Sequence, residues 1–477
     1  SACPLRPSLH PCLDADSSAR GPVRLAPVVP LSALPMTARP APQPSVHFAR
    51  ILHSRSDRPS LSGPQRVREA LLLTFCDPIP RECLRLWLFT RGDWSRALHW
   101  LDISGLALYF LDRLEQLDLC DILPPAVLAR LRQNLADNTN RTASMMEEWI
   151  EIQRSFHTAG LSWATLKGFS LYPQSVPRPQ LRSQLDIDFL IAENSAPTAR
   201  SILESRGYRL HAISGRSWEF KRSAPTRITL DDLYKPTPHR SAELHIESSA
   251  SPTPLLDRLE WRSFQGHSLP VLSPLDLFLG QGLHLYKHIV SECTRAAHLL
   301  EFRRHVLARY DDTAFWRDLQ HLAEADRRAP IGLGVATLLI TRLMGPFAPP
   351  AFTSWTVDRV PPAARLWIDT YGHDFALGDF PGTKLYLLLQ QALAPAGIAA
   401  KRSRRAALLP KKLPPAIVHA TPGESLLSRL RRNWTQFRFI SIRARFHAFQ
   451  GLRYLYESRR WHKLIAQSGA SSRPTIH

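Results

Sequence analysis

Two acidic segments carry residue types from which chemistry can be built. In Leu185-Asp186-Ile187-Asp188-Phe189, carboxylates alternate with apolar side chains. On a strand, alternate residues share a face, so Asp186 and Asp188 stand about 6.5–7 Å apart on one side while Ile187 and Phe189 turn to the other. Carboxylates held side by side repel and lose hydration, and a fold that keeps them calls for a cation to join them. Mg2+, which prefers octahedral oxygen ligation, suits the pair. The second segment, Ala242-Glu243-Leu244-His245-Ile246-Glu247, puts Glu243, His245 and Glu247 on one strand face, from which Glu243 can reach the same ions. Upstream lies Leu166-Lys167-Gly168-Phe169-Ser170. Glycine lets a backbone approach a phosphate, Ser170 offers a hydroxyl, and Lys167 or Arg182 offers positive charge. Two ions held this way stabilise in-line attack on a phosphoryl centre, one at the incoming hydroxyl and one at the leaving group.

Each residue also has a plainer role to be weighed. A lone DxD is most often a solvated surface pair; its strand flanks and the later acidic strand favour a metal site. Arg182 either contacts phosphate or pairs with Asp186 or Asp188. His245 is expected to hydrogen-bond behind the ligands rather than bind metal, as half-buried strand histidines usually do. Glu247 has the same geometry with less support. His284 and His288 lie one helical turn apart, but the glutamate of HExxH is missing, so helix packing is their expected role and zinc a minor one.

The elements that must position these residues follow from periodicity. Residues 66–159 read as helices, at 67–75, 80–88, 94–101, 106–117, 125–138 and 142–159, with apolar spacings of three and four. The period then shortens to strands at 161–166, 185–192, 208–213, 218–222 and 242–247, interrupted by one helix at 196–206 that ends on Gly207. Helical spacing returns after Pro274 through about Met344, then at 361–369 and 382–393. The expected class is α+β: a small mixed β-sheet core embedded in a mainly helical chain. The expected units are 1–65 as a disordered Pro/Ala/Arg-rich extension, 66–159 as a helical region, 160–268 as the α/β core, 269–400 as a second helical region and 401–477 as a basic aromatic tail.

At the Leu166-Lys167-Gly168 loop the sequence resembles the nucleotidyltransferase family related to the DNA polymerase beta superfamily. It is most similar to the bacterial branch in which a helical region precedes an LKG loop, an arginine-containing approach to DxD, and an acid-x-His strand. Tyr172-Pro173, Arg182, Asp186-Ile187-Asp188, Gly207-Tyr208 and Glu243-Leu244-His245 match, as do His284-Leu285-Tyr286-Lys287-His288 and Leu299-Leu300-Glu301, so the likeness spans roughly residues 66–345. Gly168-Phe169 stands where the superfamily usually has Gly-Ser or Gly-Gly, and Glu243 where aspartate is commoner. The resemblance implies transfer of a nucleoside monophosphate from an NTP to a hydroxyl acceptor. Asp186, Asp188 and Glu243 would be the catalytic metal ligands for two Mg2+ ions, with Mn2+ as a substitute. Lys167, Gly168, Ser170 and Arg182 would bind the nucleotide. The acceptor, whether small molecule, protein side chain or RNA end, is not legible. The rival expectation is a catalytically silent scaffold that keeps the fold. Asn at both 186 and 188 is expected to abolish transfer while leaving stability similar or higher, because repulsion is relieved.

Composition bounds the rest. The chain has 477 residues, 44% hydrophobic and 21% charged, which is ordinary globular usage. The net charge of +20 is concentrated at the ends: residues 401–477 carry +15 (17 Lys/Arg against Glu424 and Glu457) and residues 1–65 carry +4, leaving +1 for the body. Any basic surface therefore belongs to the ends, and the tail's arginines interleaved with aromatics suit nucleic acid or anionic membrane. The first expectation for the tail is nonetheless a partly helical extension docked on the body. Six cysteines without a CxxC argue against a disulfide framework or zinc knuckle, and a cytoplasmic location is the default expectation. No apolar run approaches the length of a membrane span. Residues 1–65 hold 12 of the 40 prolines and precede or surround a first methionine at Met36, so translated upstream sequence is expected there.

Overall fold

The computed structural model describes residues 63–222, 230–236, 240–264, 266–393, 404–408 and 425–468. Nearly all of the extension expected at 1–65 lies outside the described residues.

Helix α1 (Gly63–Leu73) is followed by a 3-10 segment at Arg81–Leu88, where a regular helix is expected from the spacing. Helix α2 (Arg91–Ser104) begins at a capping box in which Thr90 and Asp93 satisfy each other's backbone N–H, and it ends at Gly105 in the left-handed region. After α3 (Ala107–Gln116) comes α4 (Pro125–Thr158), 34 residues without a break and so about 50 Å long. The sequence predicts two helices here, at 125–138 and 142–159, on either side of the polar residues Asn140 and Arg141. Asn138 and Arg141 are buried and paired. The Asn138 amide donates to Gln180 O at 2.7 Å and Arg182 O at 3.2 Å, and Arg141 donates to Leu233 O. Their partners lie in other elements, so the helix runs on.

Among the described residues seven strands form one mixed sheet, ordered β3-β4-β5-β2-β1-β7-β6. They are β1 (Trp163–Leu166), β2 (Asp186–Ala192), β3 (Tyr208–Ser214), β4 (Ser217–Arg222), β5 (Arg240–Glu247), β6 (Leu259–Phe264) and β7 (His267–Leu272), with α5 (Ala196–Ser205) between β2 and β3. Strands β2 and β5 are parallel, while β1 runs antiparallel to β2. The β6–β7 hairpin is an addition to the five strands expected. Pro270 within β7 argues against a strand in sequence, but it stands opposite Trp261 where β1 pairs only at Thr165 with Val271.

The sheet is two-faced, as its alternation dictates. Ile187, Phe189, Ile191, Phe220, Ala242 and Leu244 are buried with Trp149, Ile152 and Phe156 of α4 and with Ala199 and Leu203 of α5. Phe156 meets Phe189 edge-on at 5.2 Å between ring centroids. Asp186, Asp188, Glu243 and His245 occupy the alternate positions and face the other way.

The second helical region comprises α6 (Pro274–Ile289), α7 (Ala296–Leu307), α8 (Thr313–Glu324), α9 (Arg328–Met344), α10 (Pro362–Ala376) and α11 (Tyr386–Leu393). With α1–α3 they enclose the largest core. Most of the tail is a 42-residue helix, α12 (Leu426–Gln467). Its second half docks as expected: Trp461 is fully buried beside Tyr371 (5.9 Å between rings), Tyr371 donates to Glu457 at 2.9 Å, and Arg453 pairs with Asp374 at 2.6 Å. The first half exposes Leu426, Leu430, Trp434 and Phe437. Among the described residues no helix is long and apolar enough to cross a membrane.

Candidate active site

Register builds the site. Asp188 of β2 stands between Leu166 of antiparallel β1 and Glu243 of parallel β5. Beta-strand β1 ends at Leu166, so Lys167 leaves the sheet beside Asp188. Its backbone takes φ +47°, outside the usual range for a non-glycine residue, and Gly168 follows at φ +43°. Strain of this kind persists only where the surroundings over-determine it. Here the Lys167 ammonium donates to Asp188 Oδ1 at 3.0 Å and lies 3.9 Å from Glu243 Oε2.

Gly168 is required on two counts. Its φ disfavours a side chain, and a Cβ there would sit 2.4 Å from the Gln184 side-chain nitrogen. That nitrogen donates to Asp186 O at 2.7 Å, so the glycine turn and the start of β2 are locked together. Phe169 leads inward, against Trp149 at 4.8 Å and Phe264 at 5.9 Å, and anchors the turn in the core. Ser170, expected to offer its hydroxyl to a phosphate, is instead buried and donates to Lys167 O at 2.8 Å. There its hydroxyl holds the turn's shape.

Asp188, Glu243 and His245 each offer a ligand atom, all within 4.8 Å of one another. His245 Nε2 lies 3.0 Å from Asp188 Oδ1 and 3.4 Å from Glu243 Oε2, in direct contact with both carboxylates rather than behind them. Burial alone would raise the Asp188 pKa, but the Lys167 charge and the His245 hydrogen bond outweigh it and hold the carboxyl far below its usual range. Burial and Lys167 push His245 towards neutrality, yet its hydrogen bonds to Asp188 and Glu243 leave its pKa raised. Lys167 is likewise raised: the charges of Asp188, Glu243 and Asp186 outweigh desolvation. Asp186 opens β2 opposite Ser241, half-buried, and its charge is felt by Lys167, Arg141 and Arg182. Two carboxylates and an imidazole within one ion's reach fit a divalent cation in donor chemistry, with the imidazole widening the choice from Mg2+ towards Mn2+. The Lys167 ammonium holds that place within the fold.

The remaining expected residues divide. Arg182 donates from Nε to Glu301 Oε1 at 3.2 Å, and Tyr109 donates to the same oxygen at 2.9 Å. Arg182 also lines a tight crevice with Gly168, Phe169, Tyr172, Val176, Pro179 and Gln184, too narrow as it stands to admit a water molecule. Glu247 accepts from the backbone N–H of Leu255 (2.6 Å) and Leu256 (3.1 Å), capping the next turn. Sequence reasoning passed over Ser217, which donates to Glu243 Oε1, and Glu219, in register opposite Glu243 on β4. The alternation of β4, already legible as a strand, was the signal for Glu219.

The sequence profile of a family described as uncharacterised nucleotidyltransferase matches residues 90–344, from the cap of α2 to the end of α9. No curated protein matches the chain. Among solved structures, an antigenic nucleotidyltransferase-like protein from Paracoccidioides brasiliensis is similar over 39% of this chain and 89% of its own, with 12% identity and a TM-score of 0.25.

Proposed function

This chain belongs to the family of uncharacterised nucleotidyltransferases, and from that premise we propose that it transfers a nucleoside monophosphate from an NTP to a hydroxyl acceptor in a Mg2+-dependent reaction. The observation that carries this reading is the in-register pair of Asp188 and Glu243 on parallel strands beside the Lys167-Gly168 turn. Asp186, Asp188 and Glu243 would hold the ions, with His245 as an added donor. When bound, the ions supply charge neutralisation at the triphosphate and lower the pKa of the attacking hydroxyl.

The protein's own residues do the positioning. The Lys167 ammonium, beside Asp188 and Glu243, would supply positive charge to the phosphates, and Gly168 would let the backbone approach them. Ser170 and Gln184 keep the turn rigid, and Arg182 is fixed by Glu301 beside it. The acceptor oxygen bonds to the α-phosphorus, the bridging P–O bond breaks, pyrophosphate leaves and the hydroxyl proton passes to solvent. Rate enhancement comes from orientation and fixed charge.

A second reading, a catalytically silent scaffold, draws on the Lys167 ammonium, which already neutralises Asp188 and Glu243 within the fold. Incubating the full chain with α-labelled ATP, GTP, CTP and UTP in cell extract, with and without Mg2+, separates the two. Mass spectrometry of the protein and extract then reports an added nucleoside monophosphate and the acceptor's mass. NTP binding that ignores Mg2+, with no product in any extract, would favour the scaffold.

A further inference from the structure

A second group of potential ligands lies outside the acidic site and uses different chemistry. His284 and His288 sit one turn apart on α6, and His298 opens the facing helix α7. Their ring centroids are 4.6, 5.2 and 5.7 Å apart, and one nitrogen from each lies within 4.8 Å of the others. His284 Nε2 and His288 Nε2 are 3.1 Å apart. Ligands on a tetrahedral ion with metal–nitrogen bonds of about 2.0–2.1 Å stand about 3.3–3.4 Å from each other, so two of the three already span one edge. We propose that His284, His288 and His298 bind one divalent transition-metal ion of the zinc class, on ligands distinct from those of the carboxylate site.

Two features support the site over a merely packed histidine cluster. His298 Nδ1 is buried with no hydrogen-bond partner, a cost that a structural histidine normally avoids. The donor set is all imidazole nitrogen, which suits Zn2+ or Co2+ and is poorly matched to Mg2+. Three protein ligands leave a coordination position open. Lys167, Lys287, Arg295 and Arg182 raise the local positive potential, so the fourth ligand should be anionic, hydroxide or a phosphate oxygen.

The test is a Co2+ titration of chelator-treated, full-length protein, followed by visible absorption and by elemental analysis. Because Asp188 and Glu243 could also take Co2+, the titration is run in parallel on Asp188→Asn. One equivalent that colours the Asp188→Asn protein, is displaced by Zn2+ and resists excess Mg2+ is the expected result. His284→Gln and His298→Gln should each weaken it by at least about tenfold, since even loss of an outer partner costs that much. Circular dichroism confirms that the variants are folded; the titration of the Asp188→Asn protein stands without them. Absence of any bound equivalent there, or binding undiminished in folded His298→Gln, overturns the proposal. Neither result bears on nucleotidyl transfer, which is read separately.

Discussion

Asp188 faces Glu243 in register across the parallel β2–β5 pair, and a single ammonium, Lys167, lies against both, at 3.0 and 3.9 Å. The acidic pair is therefore balanced within the fold, and Lys167 competes with any divalent cation for the same oxygens. Lys167→Met should tighten Mn2+ binding, by about tenfold if one favourable charge contact of about 1.4 kcal/mol is exchanged for the ion, and should weaken NTP binding in the same protein. Calorimetry reads both. Equal affinities in variant and wild type would show that the lysine neither blocks the metal nor grips the nucleotide.

The same balance alters an expectation drawn from sequence. Relief of repulsion predicted a neutral or stabilising effect of Asn at 186 and 188, but Asp188 is buried and paired with Lys167 and His245. Asp188→Asn should lower stability, by about 1–3 kcal/mol because the amide retains part of the hydrogen bonding. Urea denaturation checks the sign; a more stable variant would mean that repulsion dominates after all.

Gly168→Ala strains a positive φ and drives a methyl into Gln184. A cost of about 1–3 kcal/mol is expected, together with displacement of Gln184 from Asp186 O. NTP affinity should fall further than the melting temperature indicates, as measured by calorimetry beside thermal unfolding. A variant with wild-type NTP affinity would remove the turn from the binding site.

Acid sensitivity has an identifiable source away from the site. Burial pushes His305 down to about 3, with Arg309 and Arg262 adding to the effect, while its Nδ1 bonds Gln281 at 2.7 Å. The folded pKa lies below the unfolded value near 6.5, so the unfolded chain binds more protons and stability falls as pH drops from 6.5 towards 3. The loss amounts to about 3–5 kcal/mol for this residue. His305→Asn should flatten the dependence in urea denaturation at stepped pH; parallel curves for the two proteins would assign the acid sensitivity elsewhere.

Trp461 ties the basic helix α12 to α10. Trp461→Ala removes a buried indole worth about 3–5 kcal/mol and should release the helix's second half to protease while the sheet core keeps its protection from hydrogen exchange. Unchanged cleavage within residues 440–468 would show that the polar contacts of Arg453 and Glu457 suffice.

The acidic face was legible because strand alternation fixes which side chains share a face. Spacing alone set Asp186 with Asp188 on one face of β2, and Glu243 with His245 on one face of β5. That β5 is the immediate parallel neighbour of β2 is decided by tertiary pairing, and with it the contact of His245 with both carboxylates. Pro270 concealed a strand, since local reading has no knowledge that its missing N–H falls where the ladder is sparse. The continuity of α4 through Asn138 and Arg141 was not legible because their partners, Gln180 and Leu233, lie 42 and 92 residues away. His298 joins His284 and His288 only through the packing of α7 on α6, which no local spacing encodes.

The most direct measurement is Mg2+-dependent incorporation of α-labelled nucleotide by wild type and by Asp186→Asn/Asp188→Asn, with folding of both verified by circular dichroism. Label should enter an acceptor with the wild type and be absent with the folded double variant. Incorporation at the wild-type rate by that variant would contradict the assignment of these carboxylates to catalysis.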